Sequence, residues 1–230
     1  MEGKHGERKG AAGGERYLAG ARAGLPFAIA TLVLGISFGV LARSLDWGIL
    51  APIVSSVLIF SGSAQFAMAA VLGAGGGVAA AIVAAILLNA RFGPMGVAVA
   101  PYLKGGPLRR ALEGQAVVDA SWALASRGGG RFEREFMIGA TLVQGVAWIA
   151  GTAVGALGGD FIGNPERLGL DAIFPAFFLI LLVEEIRDGR AVAVALIAAA
   201  LALTLVPFAP PGVPVIAACA AALLGLLRRT

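Results

Sequence analysis

Apolar residues in this chain come in blocks, not in stripes. Residues 25–42, 48–72, 78–103, 136–158, 170–183, 191–209 and 211–227 are almost all Ala, Val, Ile, Leu, Gly and Phe, with few charges or none. An amphipathic helix would carry a polar face at the helical period, and a half-buried strand would alternate. Neither pattern is present. A block that is apolar on every side suits an apolar solvent, and roughly 20 such residues span a bilayer as a helix. Open strands are excluded, because their edge amides would go unpaired in lipid. The pattern predicts an all-α fold, a polytopic integral membrane helical bundle. It would have about seven transmembrane helices, or eight if the short stretch 112–126 also crosses.

Composition agrees. Of 230 residues, 58% are hydrophobic and 14% charged, too little polar surface for a soluble domain of this length. Residues 1–22 are the exception. They form a polar, basic tail that composition reads as disordered, followed by a single transmembrane domain over 23–230. The tail lacks the compact apolar core and cleavage site of a signal peptide, so the first span is read as an uncleaved anchor. Short glycine-rich joints such as 73–77 are turns within one domain.

The net charge of +4 would suit nucleic acid, but the basic residues sit between the apolar blocks, as flanks of membrane helices do. No nucleic-acid partner is expected. The tail carries Lys4, Arg8, Lys9, Arg16 and Arg22, which places it on the cytoplasmic side. Arg127, Arg131 and Arg134, then Arg187 and Arg190, then Arg228 and Arg229 form further clusters. Helices over 135–158, 170–186, 190–207 and 211–227 bring each cluster to that same side, with the C-terminus inside. The first half is harder. Crossings over 25–42, 48–72 and 78–103 would put Lys104, Arg109 and Arg110 outside, and 112–126 must then cross back or re-enter. His5 lies in the tail and Cys219 in the last block, one of each residue type in the chain. They supply no metal site, no disulfide and no intramembrane histidine relay, and no cofactor is expected.

Two apolar blocks are interrupted. FSGSAQF, residues 60–66, and LNARFGP, residues 88–94, bring Ser61, Gly62, Ser63, Gln65, Asn89 and Arg91 near the bilayer midplane. Glycine weakens the first helix there. Pro94 lacks the amide that would bond the Ala90 carbonyl in the second. Each block therefore reads as two half-helices, which membranes tolerate only where the break is buried or lines a cavity. A half-helix start presents free amides and the positive end of its dipole, a setting for a carboxylate. Arg91 adds a full charge and a two-pronged donor. An arginine at the bilayer centre costs about 3 kcal/mol, so it needs a partner. Asp119 is the acid of the first half that lies within an apolar stretch. The same residues also admit plainer roles. The serines suit close helix packing, Gln65 and Asn89 an interhelical hydrogen bond, and Arg91 with Asp119 a purely structural ion pair. Glu184 and Glu185 suit a solvated helix end, with Glu184 a candidate proton carrier.

These stretches resemble the AzlC family, the large subunit of two-component branched-chain amino acid exporters. FSGSAQF matches the pattern F-x-G-x-x-Q-F. In NARFGPMGVAVAP, Asn89, Arg91, Gly96, Ala100 and Pro101 match N-x-R-H-x-x-Y-G-x-x-x-A-P. VDASWAL matches T-D-E-x-x-A-L at Asp119, Ala123 and Leu124. AGLPFAIATLVLGISFG and GLDAIFPAFFLILL resemble the family's first span and its G-L-D-x-x-x-P-A-x-F segment, so the similarity covers about residues 20 to 227. Phe92, Met95, Ala120 and Val33 stand where the family has histidine, tyrosine, an acid and proline.

The resemblance implies export of a branched-chain or similar small amino acid through the bacterial inner membrane, with a small hydrophobic AzlD-like membrane subunit as partner. On that reading the substrate carboxylate meets Arg91 and the amides at the two breaks. Its ammonium meets Asp119 and oxygens of Ser61, Ser63, Gln65 or Asn89, and its side chain sits among Phe66, Phe92 and Met95. Rival readings are a passive channel, a substrate-free scaffold and an intramembrane enzyme. A channel needs a continuous polar lining, whereas the polar residues here cluster at one depth. An enzyme lacks its parts, since LGGD at 157–160 has Leu157 where an intramembrane aspartyl protease has glycine. No phosphate-binding loop is present.

Overall fold

The structure is a computed structural model and describes residues 3–162, 179, 182–183, 186, 189–209, 213–214 and 217–218. Most of the expected spans over 170–186 and 211–227, with Glu184, Glu185 and Cys219, lie outside the described residues. Within them the secondary structure is helical apart from one isolated bridge between Ser126 and Phe132. The helices are α1 (Gly3–Ser44), α2 (Leu50–Ile59), α3 (Gly62–Gly73), α4 (Val78–Asn89), α5 (Phe92–Val99), α6 (Pro107–Gly114), α7 (Asp119–Ala125), α8 (Arg134–Ile162) and α9 (Gly189–Leu205). Helix α1 begins at Gly3, inside the stretch that composition reads as a disordered tail. Two helices are long and apolar enough to cross a membrane, Gly13–Ser44 and Arg134–Gly159. A third candidate is the pair Val78–Asn89 and Phe92–Tyr102, bent by 45°.

Helices α1 and α8 form the frame. They run parallel, backbone against backbone, because glycines face each other. A Cβ on Gly35 would lie 2.7 Å from the Trp148 carbonyl oxygen, and one on Gly151 would lie 2.3 Å from that of Leu32. One turn on, a Cβ on Gly39 would meet the Thr152 oxygen at 2.3 Å, and one on Gly155 the Ile36 oxygen at 2.1 Å. Both helices advance together through these contacts, which fixes their direction. Small residues at such a crossing let dispersion and backbone contacts replace the hydrophobic drive that lipid does not supply.

Helices α2 and α3 do not cross. They have 10 and 12 residues, or about 15 and 18 Å, against a hydrocarbon core of about 30 Å. Helix α2 leaves the C-terminal end of α1. Its Ser56 lies 2.9 Å from Thr152, and at its tip the Phe60 ring sits over Gly145, seven residues lower on α8. The backbone then reverses. Phe60 is left-handed, at φ 39° and ψ 50°, and Ser61 is extended. Helix α3 climbs back beside α1, with Phe66 against Phe38 and Gly73 against Leu45. The pair is a re-entrant hairpin.

Helix α4 packs antiparallel on α3 through Ala67, Val71, Ala81 and Ala84, and α5 carries the chain on to the α1 N-terminal end. There Tyr102 Oη donates to the Gly130 carbonyl at 2.9 Å, and Lys104 Nζ pairs with Glu135 at 2.6 Å. Helices α6 and α7 form a second excursion, entering from this opposite end. Arg134 Nε donates to Glu113 at 2.7 Å and Arg134 Nη1 to Tyr17 Oη at 3.1 Å, which ties α6, α8 and α1 together. The chain then rises along α8, with Thr141 donating to the Ala116 carbonyl at 2.7 Å. It returns through α7 to the start of α8, where the Glu133 amide donates to Ala125 at 3.0 Å. Lys104 and Arg109 thus share an end with Arg16 and Tyr17, contrary to the sequence expectation. The reason is the reversal at Phe60, which removes one crossing.

Candidate functional site

The two hairpins and the α4–α5 break meet at one depth, and Arg91 is where they join. Helix α4 ends at Asn89 because Pro94 withholds an amide from Ala90. The break leaves Arg91 between α4 and α5, reaching both hairpin tips. Its Nη2 lies 2.9 Å from Asp119 Oδ2 at the tip of α7, and donates to Ser63 Oγ at 3.1 Å at the start of α3. Ser61 Oγ donates to Asn89 Oδ1 at 2.6 Å and lies 3.4 Å from Ser63 Oγ, so the two breaks are also linked directly. The Arg91 guanidinium stands 5.0 Å over the Phe92 ring. Its Nε is buried and has no hydrogen-bond partner among the described residues. Asp119 is the more open member of the pair, with 56% of its side chain exposed against 29% for Arg91.

Beside this pair lies a cavity of about 240 Å³ lined by Ser61, Gly62, Arg91, Phe92 and Asp119. Pockets for drug-sized ligands run from about 300 to 1,000 Å³, so this one suits a smaller molecule. Five of the residues singled out in the sequence therefore face one space. Ser63 and Asn89 stand behind them, as partners of Arg91 and Ser61. Gln65 points elsewhere. It is fully buried, its Nε2 donates to Ser55 at 2.9 Å and Ser56 at 3.0 Å, and its Oε1 accepts from Trp148 Nε1 at 2.9 Å. Met95 packs against the apolar cluster of Val99, Phe132 and Met137 on the far side of the break. Phe66 is buried among Phe38 and Trp148.

Sequence reasoning missed the far wall, which comes from α1 and α8: Thr31, Leu34, Gln144 and Trp148. A signal existed for Gln144. It is an amide ten residues into an apolar span, and a polar side chain at that depth is expensive unless partnered. The chemistry of the lining is simple. One cation faces one carboxylate, a few neutral oxygens surround them, and the remainder is aromatic or aliphatic.

The comparisons with known proteins agree with one another. The model of the family described as AzlC protein matches residues 26–162. The branched-chain amino acid transport protein AzlC of Bacillus subtilis strain 168 is 27% identical over 165 residues, 70% of this chain and 64% of that protein. The chain thus spans just under two thirds of that relative's length. The inner membrane protein YgaZ of Escherichia coli K12 is 26% identical over 210 residues, covering 85% of this chain and 84% of that protein. An uncharacterized membrane protein of Archaeoglobus fulgidus is 32% identical over 181 residues, 77% of this chain and 79% of its own length. No solved structure matches.

Proposed function

We propose that this chain, which belongs to the AzlC family, is the membrane subunit of a secondary active transporter. It exports branched-chain or other small apolar amino acids across the bacterial inner membrane, coupled to protons. The α1 N-terminal end faces the cytoplasm, and a small hydrophobic AzlD-like subunit completes the unit. The observation that carries this reading is the Arg91 guanidinium, whose Nε is buried beside a small cavity without a partner among the described residues.

Arg91 is held in the membrane by Asp119, since an unpaired arginine at that depth is costly. A substrate carboxylate supplies a second anion and competes with Asp119 for the same guanidinium. The substrate ammonium in turn offers Asp119 a new cation. The pair therefore opens when a zwitterion enters, and closes when it leaves. Protonation of Asp119 is the simplest coupling step, because it breaks the pair with Arg91 and frees that guanidinium for the carboxylate; the ammonium meets Asp119 once the proton has left. The apolar walls of Phe27, Leu34, Phe92 and Trp148 then receive an aliphatic side chain. The name of the Bacillus subtilis relative supports the substrate class.

The test is counterflow of radiolabelled leucine in proteoliposomes, with and without the small partner, against unlabelled valine, isoleucine and methionine. Exchange that needs the partner and is lost in Arg91→Ala, with normal membrane insertion, supports the reading. Normal exchange by Arg91→Ala removes the site, and no aliphatic exchange under any condition removes the substrate class.

A further inference from the structure

The α8 wall of the cavity holds a hydrogen-bond acceptor without a donor. Gln144 is 5% exposed and lines the cavity with Arg91 and Asp119. Its Nε2 donates to Ser121 Oγ at 2.9 Å and to the Ala140 carbonyl at 2.9 Å. A carbonyl oxygen can only accept, so the contact with Ala140 identifies the nitrogen and fixes the way the amide faces. Oε1 is the atom left over, with no hydrogen bond among the described residues. Thr31, on the α1 wall, is in a similar state. Its hydroxyl proton goes to the Phe27 carbonyl at 2.7 Å, which leaves the lone pairs of Oγ1 unused.

Resting on the transport reading above, we propose that Gln144 Oε1, with Thr31 Oγ1, binds the substrate's ammonium group and makes the site select α-amino acids over the matching α-keto acids. An ammonium group brings three donors and no acceptor. The cavity offers acceptors of the right kind in Asp119, Gln144, Thr31 and Ser61, and one strong donor in Arg91. That division matches a zwitterion and not a simple carboxylate. Asp119 is shared with Arg91, so the neutral oxygens are what remain to the ammonium while that pair is closed. Ser121 Oγ, on α7, shares Nε2 with the Ala140 carbonyl, so the amide keeps this facing through Ala140 when the serine is removed.

The experiment uses the full chain with its partner in proteoliposomes and reads inhibition of leucine counterflow by two probes. One is leucine itself, and the other is 4-methyl-2-oxopentanoate, which keeps the carboxylate and side chain but lacks the ammonium. Gln144→Met keeps the length and loses the oxygen. It should weaken leucine about tenfold, the scale of one hydrogen bond to a charged group, and leave the keto acid unchanged. Ser121→Ala cuts the tie to α7 while keeping the oxygen, and should preserve the preference for leucine. Equal losses for both probes in Gln144→Met, or the same selective loss in Ser121→Ala, overturn the assignment and leave the transport reading intact. A wild-type chain that exchanges leucine with neither probe overturns both together.

Discussion

At the scale of single residues, Arg91 and Gln65 separate binding from support. Both are polar groups in apolar blocks, but the cavity contains only one of them. Arg91→Lys keeps the charge and loses the planar fork, and the compact ammonium cannot hold Ser63, Asp119 and a substrate carboxylate at once. Leucine counterflow should fall at least tenfold in this variant, while its melting temperature in detergent stays close to the parent's. Gln65→Leu should do the reverse. It strands the Trp148 indole proton and removes the amide that donates to Ser55 and Ser56, a loss of about 1–3 kcal/mol for a buried group left unpaired. Melting should drop by several degrees with exchange retained. A transport-dead but stable Gln65→Leu would move that residue into the site. The Arg91–Asp119 pair was legible in the sequence because a charge inside a membrane demands a neutralising partner, and few acids were available. Gln144 was not, because one amide among 29 residues of α8 looks the same whether it faces a neighbouring helix or a cavity.

Helices carry a different kind of information, and the α1–α8 frame illustrates it. A methyl on Gly39 or Gly155 would fall 2.3 or 2.1 Å from a backbone oxygen, where no side chain can move aside. Gly155→Ala should therefore exceed the usual overpacking loss of about 1–3 kcal/mol. Gly158→Ala, three residues on in the same helix and with nothing within 4 Å among the described residues, should be neutral or slightly stabilising. Thermal unfolding of the two variants in the same detergent decides this, and equal melting temperatures would contradict the parallel frame. The α6 hairpin is fastened in another way. Hydrogen bonds from Arg134 hold the Glu113 carboxyl down at about 2 against an ordinary 4.5, with help from the Lys104 amide and Arg109. A depressed carboxylate stabilises the fold fully above its unfolded value and loses that contribution as pH falls from about 4.5 toward 2. Glu113→Gln should lower stability at neutral pH by about 1–3 kcal/mol, because Arg134 would lose the nearer of its two anions and keep Glu135 at 3.2 Å. The variant's melting curve should also lose part of the parent's acid sensitivity over that window, the remainder coming from Glu135, which stays paired with Lys104 and Arg134.

The molecule as a whole obeys a rule that the element list alone breaks. If 48–72 crossed the membrane, Lys104 and Arg109 would lie on the far side from the basic tail, against the usual bias of positive charge toward the cytoplasm. A 25-residue crossing and a hairpin of 10 and 12 residues have the same composition, so sequence cannot separate them. What separates them is the left-handed turn at Phe60 and the contact of Gly73 with Leu45. With the hairpin turned back, Arg16, Lys104, Arg109, Arg127 and Arg134 all gather at the α1 N-terminal end, where Arg16 reaches Glu133 and Arg127 pairs with Glu133 at 2.6 Å. The charge bias and the packing then agree, and the two hairpin tips approach Arg91 from opposite membrane faces. Each hairpin tip thus reaches Arg91 from its own side, Ser63 on one and Asp119 on the other. The test is labelling of single cysteines in a Cys219→Ser background with a membrane-impermeant maleimide added to intact cells. Gly77→Cys should react, and Gly14→Cys and Gly106→Cys should react only after the membrane is opened. A Gly106→Cys that labels from outside while Gly14→Cys does not would restore the crossing, and would separate the two hairpin tips from the common site at Arg91.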